Sequence, residues 1–333
     1  MKKVVSFLFF LAISATTVKS NDYKIFQSLE KKNLKEFNEV LKKTCQNDRF
    51  FKNLVSHTSY PKYGSKKNWI EVCKKIKKTK IDKNFLTNKN FKTKLLSQDY
   101  GILTGYYEPE IKVSRIKTSN YSIPILKYNK KFRKMKRRLI NKKFSSSDVL
   151  LWTNDVIDFF FLQIQGSGVG VFENGEKTKI LYSENNNLKY TSIGNILIKK
   201  KYLDKKKVNL FSIKKFLREN PNKVKNILNE NDRYIFFKLN SDIKTSPVGA
   251  FGINLVPYVS LAVDKKYYPL GIPILYKEKE SKNYKPSLAI DTGSAIKGKN
   301  RADLFTGSGK DAENKAGMLK KKLLLYVLIP YID

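Results

Sequence analysis

The stretch SLAVDKKYYPLGIPILYKEKESKNYKPSLAIDTGSAIKGKNRADLFTGSG, residues 260–309, decides the fold. Asp264, Asp291 and Asp303 each abut a short run of apolar or small residues, with Gly, Pro, Lys or Asn just beyond. Such runs bounded by turn formers read as strands. The carboxylates therefore fall at strand ends, where a rigid frame can hold acid/base groups over a cleft. Asp264, in VDKKYYP, reads equally well as a plain turn residue. That alternative is weaker for Asp291 and Asp303, two acids twelve positions apart in a chain with 67 Lys and Arg against 29 Asp and Glu.

Four further motifs precede this stretch in order: LTGYYEPEI (103–111), FFFLQIQGSG (159–168), YTSIGNILI (190–198) and SPVGAFGINLVPYVSLAV (246–263). Together, over residues 98–330, they resemble the membrane-bound lytic murein transglycosylase A family, whose C-terminal part is the three-aspartate domain. The chain departs from the family pattern at Ser294, where the family usually carries a second glycine. The resemblance implies a mainly β fold with N-terminal helices. A discontinuous double-psi β-barrel domain is expected over 21–108 and 243–333, with the three-aspartate region at 260–309. A smaller β-rich domain is expected over 109–242, with a substrate groove between the two.

The activity so implied is that of a peptidoglycan lytic exotransglycosylase, a lyase that cuts the β-1,4 bond between N-acetylmuramic acid and N-acetylglucosamine without water. It leaves 1,6-anhydro ends and needs no cofactor. Asp303 matches the family's catalytic acid/base, and Asp291 and Asp264 match the two supporting aspartates. Thr104, Gly105 and Tyr106 match one edge of the cleft and Gln165, Gly166 and Ser167 the other; Gly249, in the SPVGAFG motif, joins the substrate-binding set. Tyr106 is expected to offer a stacking face to a sugar ring. The residues alone leave exo and endo action, and dependence on stem peptides, open. The rival readings are a non-catalytic peptidoglycan-binding protein, a DTG-type aspartic protease and a basic nucleic-acid-binding protein.

The residues themselves narrow these choices. DTGS at 291–294 matches the aspartic-protease signature, but those enzymes need two such aspartates sharing a proton. Only 42 residues follow Asp291, too few for the rest of a protease lobe. QGSGVG lacks a following helix for a dinucleotide turn, and TGSGKD lacks the Ser or Thr of a P-loop. Read as a strand, DFFFLQIQ puts Gln163, Gln165 and Ser167 on one face, able to bond sugar hydroxyls; the alternative is a merely polar strand face. A nucleophile–histidine pair has only His57 to draw on, in SHTSY, which reads as a surface residue. That leaves carboxylates. Glycosidic cleavage needs an acid for the leaving oxygen, and one carboxyl can serve first as acid and then as base.

Residues 1–20 read as a secretory leader: Lys2 and Lys3, an apolar stretch over 4–15 and a polar end, with a cut after Ser20. The apolar stretch is short for a membrane span, and no cysteine near residue 20 offers the lipid attachment of many relatives. A soluble periplasmic protein is expected, not lipid-anchored, peripheral to the outer membrane or wall, with glycan strands as partner and no nucleic acid. Oligomeric state is left open. Cys45 and Cys73 read either as a disulfide or as two buried thiols, and with one histidine they make no zinc set. The formal charge of +38 falls only to +35 without Lys2, Lys3 and Lys19. Lysines are spread throughout, with one dense run at 127–143 that reads as a solvated or wall-facing helix rather than a nucleic-acid arm. Residues 22–97 show helical spacing, and strands dominate from Gly101 onward, interrupted by helices at 192–201 and after Pro221.

Overall fold

The computed structural model describes residues 22–79, 81–87, 90–243 and 246–331. The leader read over 1–20 lies outside them. Contacts divide the chain into two units: Met1–Leu103, Gly249–Asp303 and Lys321–Asp333 form one, Thr104–Val248 and Leu304–Lys320 the other.

The first unit begins with helices α1 (Leu34–Cys45), α2 (Asp48–Ser56), α3 (Lys66–Lys78) and α4 (Lys83–Thr87). Helix α1 buries Phe37, Val40, Leu41, Thr44 and Cys45, an apolar stripe at helical spacing, and α3 buries Trp69, Val72, Cys73 and Ile76. Asn47 and Ser65 cap the starts of α2 and α3 by accepting from Arg49 N and Asn68 N. Cys45 and Cys73 form a disulfide across the two buried stripes, Cα to Cα 5.3 Å.

Strands β1 (Phe91–Leu95) and β2 (Gly101–Glu108) follow, then β9 (Ser260–Val263), β10 (Pro273–Glu278), β11 (Lys285–Asp291), β12 (Arg301–Ser308) and β13 (Lys320–Pro330), with β2 and β12 passing out of this unit after Leu103 and Asp303. Their order is β1-β13-β10-β11-β9-β12-β2, and β13 also pairs with β2, so six strands close into a barrel with β1 outside the ring. All of β9 and all but the ends of β11 are buried, so these two strands are covered on both faces. The two run parallel, Leu288 opposite Ser260 and Asp291 opposite Ala262, with a register shift between Ala289 and Asp291.

The second unit holds a six-stranded sheet in the order β4-β5-β3-β6-β7-β8. These strands are β3 (Glu110–Ser114), β4 (Ile123–Leu126), β5 (Val149–Thr153), β6 (Gly168–Val171), β7 (Lys177–Asn185) and β8 (Ile235–Asn240). Helices α5 (Arg137–Lys143), α6 (Val156–Gln165), α7 (Ile193–Lys199), α8 (Leu210–Glu219), α9 (Pro221–Asn229) and α10 (Gly309–Met318) complete it. The fold is thus mainly β, with a closed six-stranded barrel, a second sheet domain and N-terminal helices.

Several elements differ from the sequence reading: β1 is a strand inside the 22–97 stretch read as helical, and α8 and α10 are helices it did not give. DFFFLQIQ is not a strand but most of α6. Phe159 and Leu162 pack with the sheet core, while Ile157, Phe160 and Phe161 pack with α7, α8 and α9. A helix buried on two sides loses its polar stripe, and a short apolar aromatic run then imitates a strand. The caps were the better signal: Asp155 accepts from Ile157 N and Asp158 N, and Gly166 ends the helix in the left-handed region at φ 88°.

The basic run at 127–143 is mixed. Arg138, Lys142 and Lys143 on α5 are exposed, but Arg137 is buried. Its guanidinium donates to Asn231 O, Gln163 Oε1 and Arg233 O, and lies 4.9 Å from the Phe160 ring and 5.0 Å from that of Tyr234. Burial pulls it down to about 10, partly opposed by Tyr234 and Asp232.

The disulfide closes a loop with a sequence separation of 28. On the chain-entropy account that restriction is worth about 3–4 kcal/mol. Cys45→Ser with Cys73→Ser, or reductant, should therefore lower the melting temperature measurably. An unchanged melting curve would show that the helical layer gains nothing from the bond.

Candidate active site

The first unit carries all three aspartates, on three neighbouring strands in the order β11-β9-β12. Asp291 ends β11, Asp264 follows β9 directly, and Asp303 is the third residue of β12. Asp264 is buried, its Oδ1 accepting from Lys266 N at 3.1 Å and its Oδ2 from Gly298 N at 2.9 Å. It is thus the turn residue of the plain reading, and it also pins the loop that follows Asp291. Gly298 sits at φ 106°, where a side chain would be strained. Asp291 Oδ1 accepts from Ala250 N at 2.9 Å and Thr292 N at 2.8 Å.

Gly249 is buried against the same strand end. A Cβ there would lie 2.5 Å from Ile290 O, so only glycine lets the 249–253 turn close on β11, where Phe251 N donates to Ile290 O. Its role is this close approach.

Asp303 is half-buried and shares a strand face with Arg301, two positions away. The Arg301 guanidinium donates to Ile102 O at 3.2 Å and to Ala302 O. Burial lowers its pKa, and the Asp303 charge raises it in opposition. The sequence reading passed over Arg301; the alternation in RADLF was the signal that could have found it.

The N-terminal helices brace these loops. Arg49 Nη1 donates to Phe251 O at 3.3 Å, Asn53 Nδ2 to Leu270 O at 3.4 Å, and Tyr63 OH to Tyr267 O at 2.9 Å. His57 is half-buried rather than a surface residue. Its Nδ1 accepts from Ser59 N, which leaves Nε2 to donate to Lys265 O at 3.0 Å. Burial lowers its pKa, against that backbone bond.

The second unit carries the other predicted residues. It brings Gln165 to the TGYY motif, where Oε1 accepts from Tyr107 N at 3.1 Å. Gly166 and Ser167 follow, half-buried, with Ser167 Oγ accepting from Tyr182 N at 3.3 Å. Gly105 faces Ala316, and a Cβ would come within 2.6 Å of its Cα. Thr104 is half-buried beside it. Tyr106 is buried, with its ring 5.3 Å from that of Phe305, so it presents no open face for stacking. Gln163 is not with Gln165. It is buried between Arg137 and Ile235 O, the consequence of a helix where alternation was read.

Ionic contacts fix the ends of these elements. The Lys179 ammonium lies 2.9 and 2.8 Å from the two oxygens of Glu108, both side chains buried, and Ser308 Oγ donates to Glu108 Oε2 at 2.6 Å. Tyr107 OH donates to Glu313 Oε1 at 3.0 Å, and Lys214 reaches Glu313 at 2.6 Å and Asp158 at 2.9 Å. Burial pushes Glu313 up, but hydrogen bonds from Lys214 and Lys310, the Lys214 charge and Tyr107 outweigh it and hold it at about 2. Burial, and then the Glu313 charge, push Tyr107 well above its ordinary range. Among the described residues no group of three or more His, Cys, Asp or Glu is placed to hold a metal ion. Nor is any helix there long and apolar enough to cross a membrane.

Known proteins bear on this arrangement. Residues 127–238 match the model of the MltA specific insert domain, and residues 259–329 that of the 3D domain. The chain is 31% identical over 234 residues to a membrane-bound lytic murein transglycosylase A homolog of Buchnera aphidicola. That match takes in 65% of this chain, and the chain spans 62% of that curated relative's length. A solved membrane-bound lytic murein transglycosylase of Agrobacterium tumefaciens is similar, with TM-score 0.72, 25% identity, and 84% of this chain and 91% of that one covered. Escherichia coli MltA with bound chitohexaose shares the fold at TM-score 0.74 and 23% identity, over 90% of this chain and 91% of that one.

Two outcomes follow from the ionic frame. Lys179→Met leaves the Glu108 carboxylate buried and uncompensated, which should cost about 3–5 kcal/mol in denaturant unfolding. Adding Glu108→Gln should restore much of it, and equal loss in both variants would mean the pair is not the cause. The second concerns acid. Glu313 is held down at about 2 against an ordinary 4.5, so its contribution is complete above 4.5 and is lost as pH falls towards 2. Thermal melts of Glu313→Gln should lose less stability than the parent between those two pH values.

Proposed function

The chain belongs to the membrane-bound lytic murein transglycosylase A family and carries its three-aspartate domain at the C-terminus, and from that premise we propose that it is a lytic transglycosylase of peptidoglycan. It cleaves the β-1,4 bond between N-acetylmuramic acid and N-acetylglucosamine in the cell envelope, after export directed by residues 1–20. The observation that carries this reading is the set of three aspartates on three adjacent strands, with Asp303 half-buried beside Arg301.

In the proposed reaction Asp303 donates its proton to the glycosidic oxygen as the bond from C1 breaks. An oxocarbenium-like sugar results, as in other glycosidic cleavages. The Asp303 carboxylate then takes the proton of the 6-hydroxyl as that oxygen bonds to C1. The ring closes to 1,6-anhydro-N-acetylmuramic acid, and no water is consumed. The Arg301 cation faces the carboxylate during the interval in which it is charged, a favourable coupling at short range. Asp264 and Asp291 hold the loops around it through backbone N–H groups. Thr104, Gly105, Gln165, Gly166 and Ser167 make the glycan contacts.

Asp303→Asn keeps shape and hydrogen-bonding reach but cannot transfer the proton. Turnover of purified murein should fall by about 10²–10⁴-fold, the usual worth of general acid–base assistance, with the melting curve retained. Mass spectrometry of parent digests should show every new muramic end lacking one water relative to a hydrolysis product. Hydrated ends would make the protein a hydrolase. An active Asp303→Asn would move the chemistry elsewhere, and wall binding without any product would leave a binding protein.

A further inference from the structure

One cleft of about 640 Å³ lies wholly within the second unit, where α8 and α10 flank the end of β2. Its size falls in the roughly 300–1,000 Å³ range of small-ligand sites. Tyr107, Pro109, Ile111 and Phe211 supply its apolar part. The rest is charge: four acidic and four basic side chains line it. In a chain with 67 basic and 29 acidic residues, an evenly balanced lining is a local departure from composition. Among the described residues that line it, none is Asn, Gln, Ser or Thr, the types that bond neutral sugar hydroxyls.

The charges form two tiers. The inner tier is fixed, with Lys214, at 16% side-chain exposure, bridging Asp158 and Glu313. The outer tier is open to solvent. The Lys215–Glu219 pair is 3.8 Å apart at 75% and 60% exposure, while Lys310, 77% exposed, reaches inward to Glu313 at 2.8 Å. Exposed pairs of this kind are worth only about 0–1 kcal/mol, so exchanging them for ligand charges costs little. Cations and acids interleave along the lining, and with the apolar groups beside them they suit a ligand that carries both kinds of charge on a short chain.

We propose that this cleft binds a short zwitterionic peptide, one with free carboxylates and a free amine, as carried by the peptide stems of murein. The inference rests on the peptidoglycan reading above and extends it from the glycan to its peptide substituent. Lys215 and Arg218, the latter exchanging its exposed contacts with Asp155 and Asp158, pair with the carboxylates, and Glu219 receives the amine. Tyr107 joins the cleft to the predicted glycan contacts, since its backbone N–H is held by Gln165.

The test is titration calorimetry on the intact protein with synthetic alanyl-glutamyl-diaminopimelyl-alanine tetrapeptide at near-physiological salt. Saturable binding is expected. It should weaken roughly tenfold for the fully N-acetylated and for the carboxyl-amidated peptide, the equivalent of about 1.4 kcal/mol each. Lys215→Ala removes an exposed cation outside the Glu313 network and should weaken the parent peptide to a similar degree with the melting curve kept. Absence of saturable binding would overturn the proposal. So would equal affinity for the modified peptides, which marks generic attraction to a basic chain, or an unaffected Lys215→Ala. Because binding is read without turnover, the two readings fail separately: bound peptide without cleavage sinks the catalytic one, and cleavage of peptide-free glycan without peptide binding sinks this one.

Discussion

The parallel pairing of β9 with β11 sets the position of everything around the aspartates. Parallel neighbours end on the same side of a sheet, so Asp264 and Asp291 emerge together with Asp291 in register with Ala262. Their carboxylates then act as acceptors for loop N–H groups that no strand can satisfy. Asp264 takes Lys266 N and Gly298 N, and Asp291 takes Ala250 N and Thr292 N. Backbone donors outside a ladder need another acceptor, and a short carboxylate satisfies two at once. The helical layer extends the same logic by donating to Phe251 O, Lys265 O, Tyr267 O and Leu270 O, the outward carbonyls of those turns.

Acids are scarce in this chain, and the buried ones are spent on structure. Glu108 receives Lys179 and Ser308, and Asp148 receives Lys131, Asn129 and Ser145. Burial pushes Asp148 up, yet those hydrogen bonds hold it well below the usual carboxylate range. A buried charge is tolerable only when fully hydrogen-bonded, and a lysine-rich chain has donors to spare. The excess charge itself sits largely on solvated side chains. Arg137 shows the limit of reading charge from a run: in the densest basic segment it is a core residue, clasped by carbonyls and a glutamine.

The barrel strands, the helix beginning at Pro221 and the strand-end positions of Asp264 and Asp291 were legible because each rests on local pattern: short apolar runs, turn formers and a proline at the first helical position. Asp303, expected at a strand end, lies within β12, and Asn220 makes no side-chain cap. Helix α6 was not, since burial on two sides erased its polar stripe, and Gln163 was misassigned with it. Helix α10 was equally hidden, its GKDAENKAGM segment reading as turn after the glycine-rich end of β12. Tyr106 had the right neighbourhood but the wrong exposure. Whether a motif residue points outward depends on a partner such as Phe305, about 200 positions away, which spacing cannot supply. The cysteine pair illustrates the same gap. Two buried stripes could be read, but their approach to 5.3 Å is a tertiary fact.

These placements also separate the three aspartates by role. A carboxylate whose two oxygens each accept a backbone N–H works as a fastener, because any movement that let it reach a glycosidic oxygen would release a loop. That describes Asp264, and it explains why the turn reading and the site reading of VDKKYYP need not compete. Asp291 is fastened through one oxygen to the 249–253 turn, which itself closes only because Gly249 leaves room for Ile290 O. Asp303 differs in kind. It lies within a strand rather than in a turn, on the face shared with Arg301, where the backbone on both sides is fixed by the ladder. In the proposed reaction Asp303 releases a proton and takes another back, and such a frame suits that role. The change in its charge is met by the neighbouring Arg301, with no loop required to move.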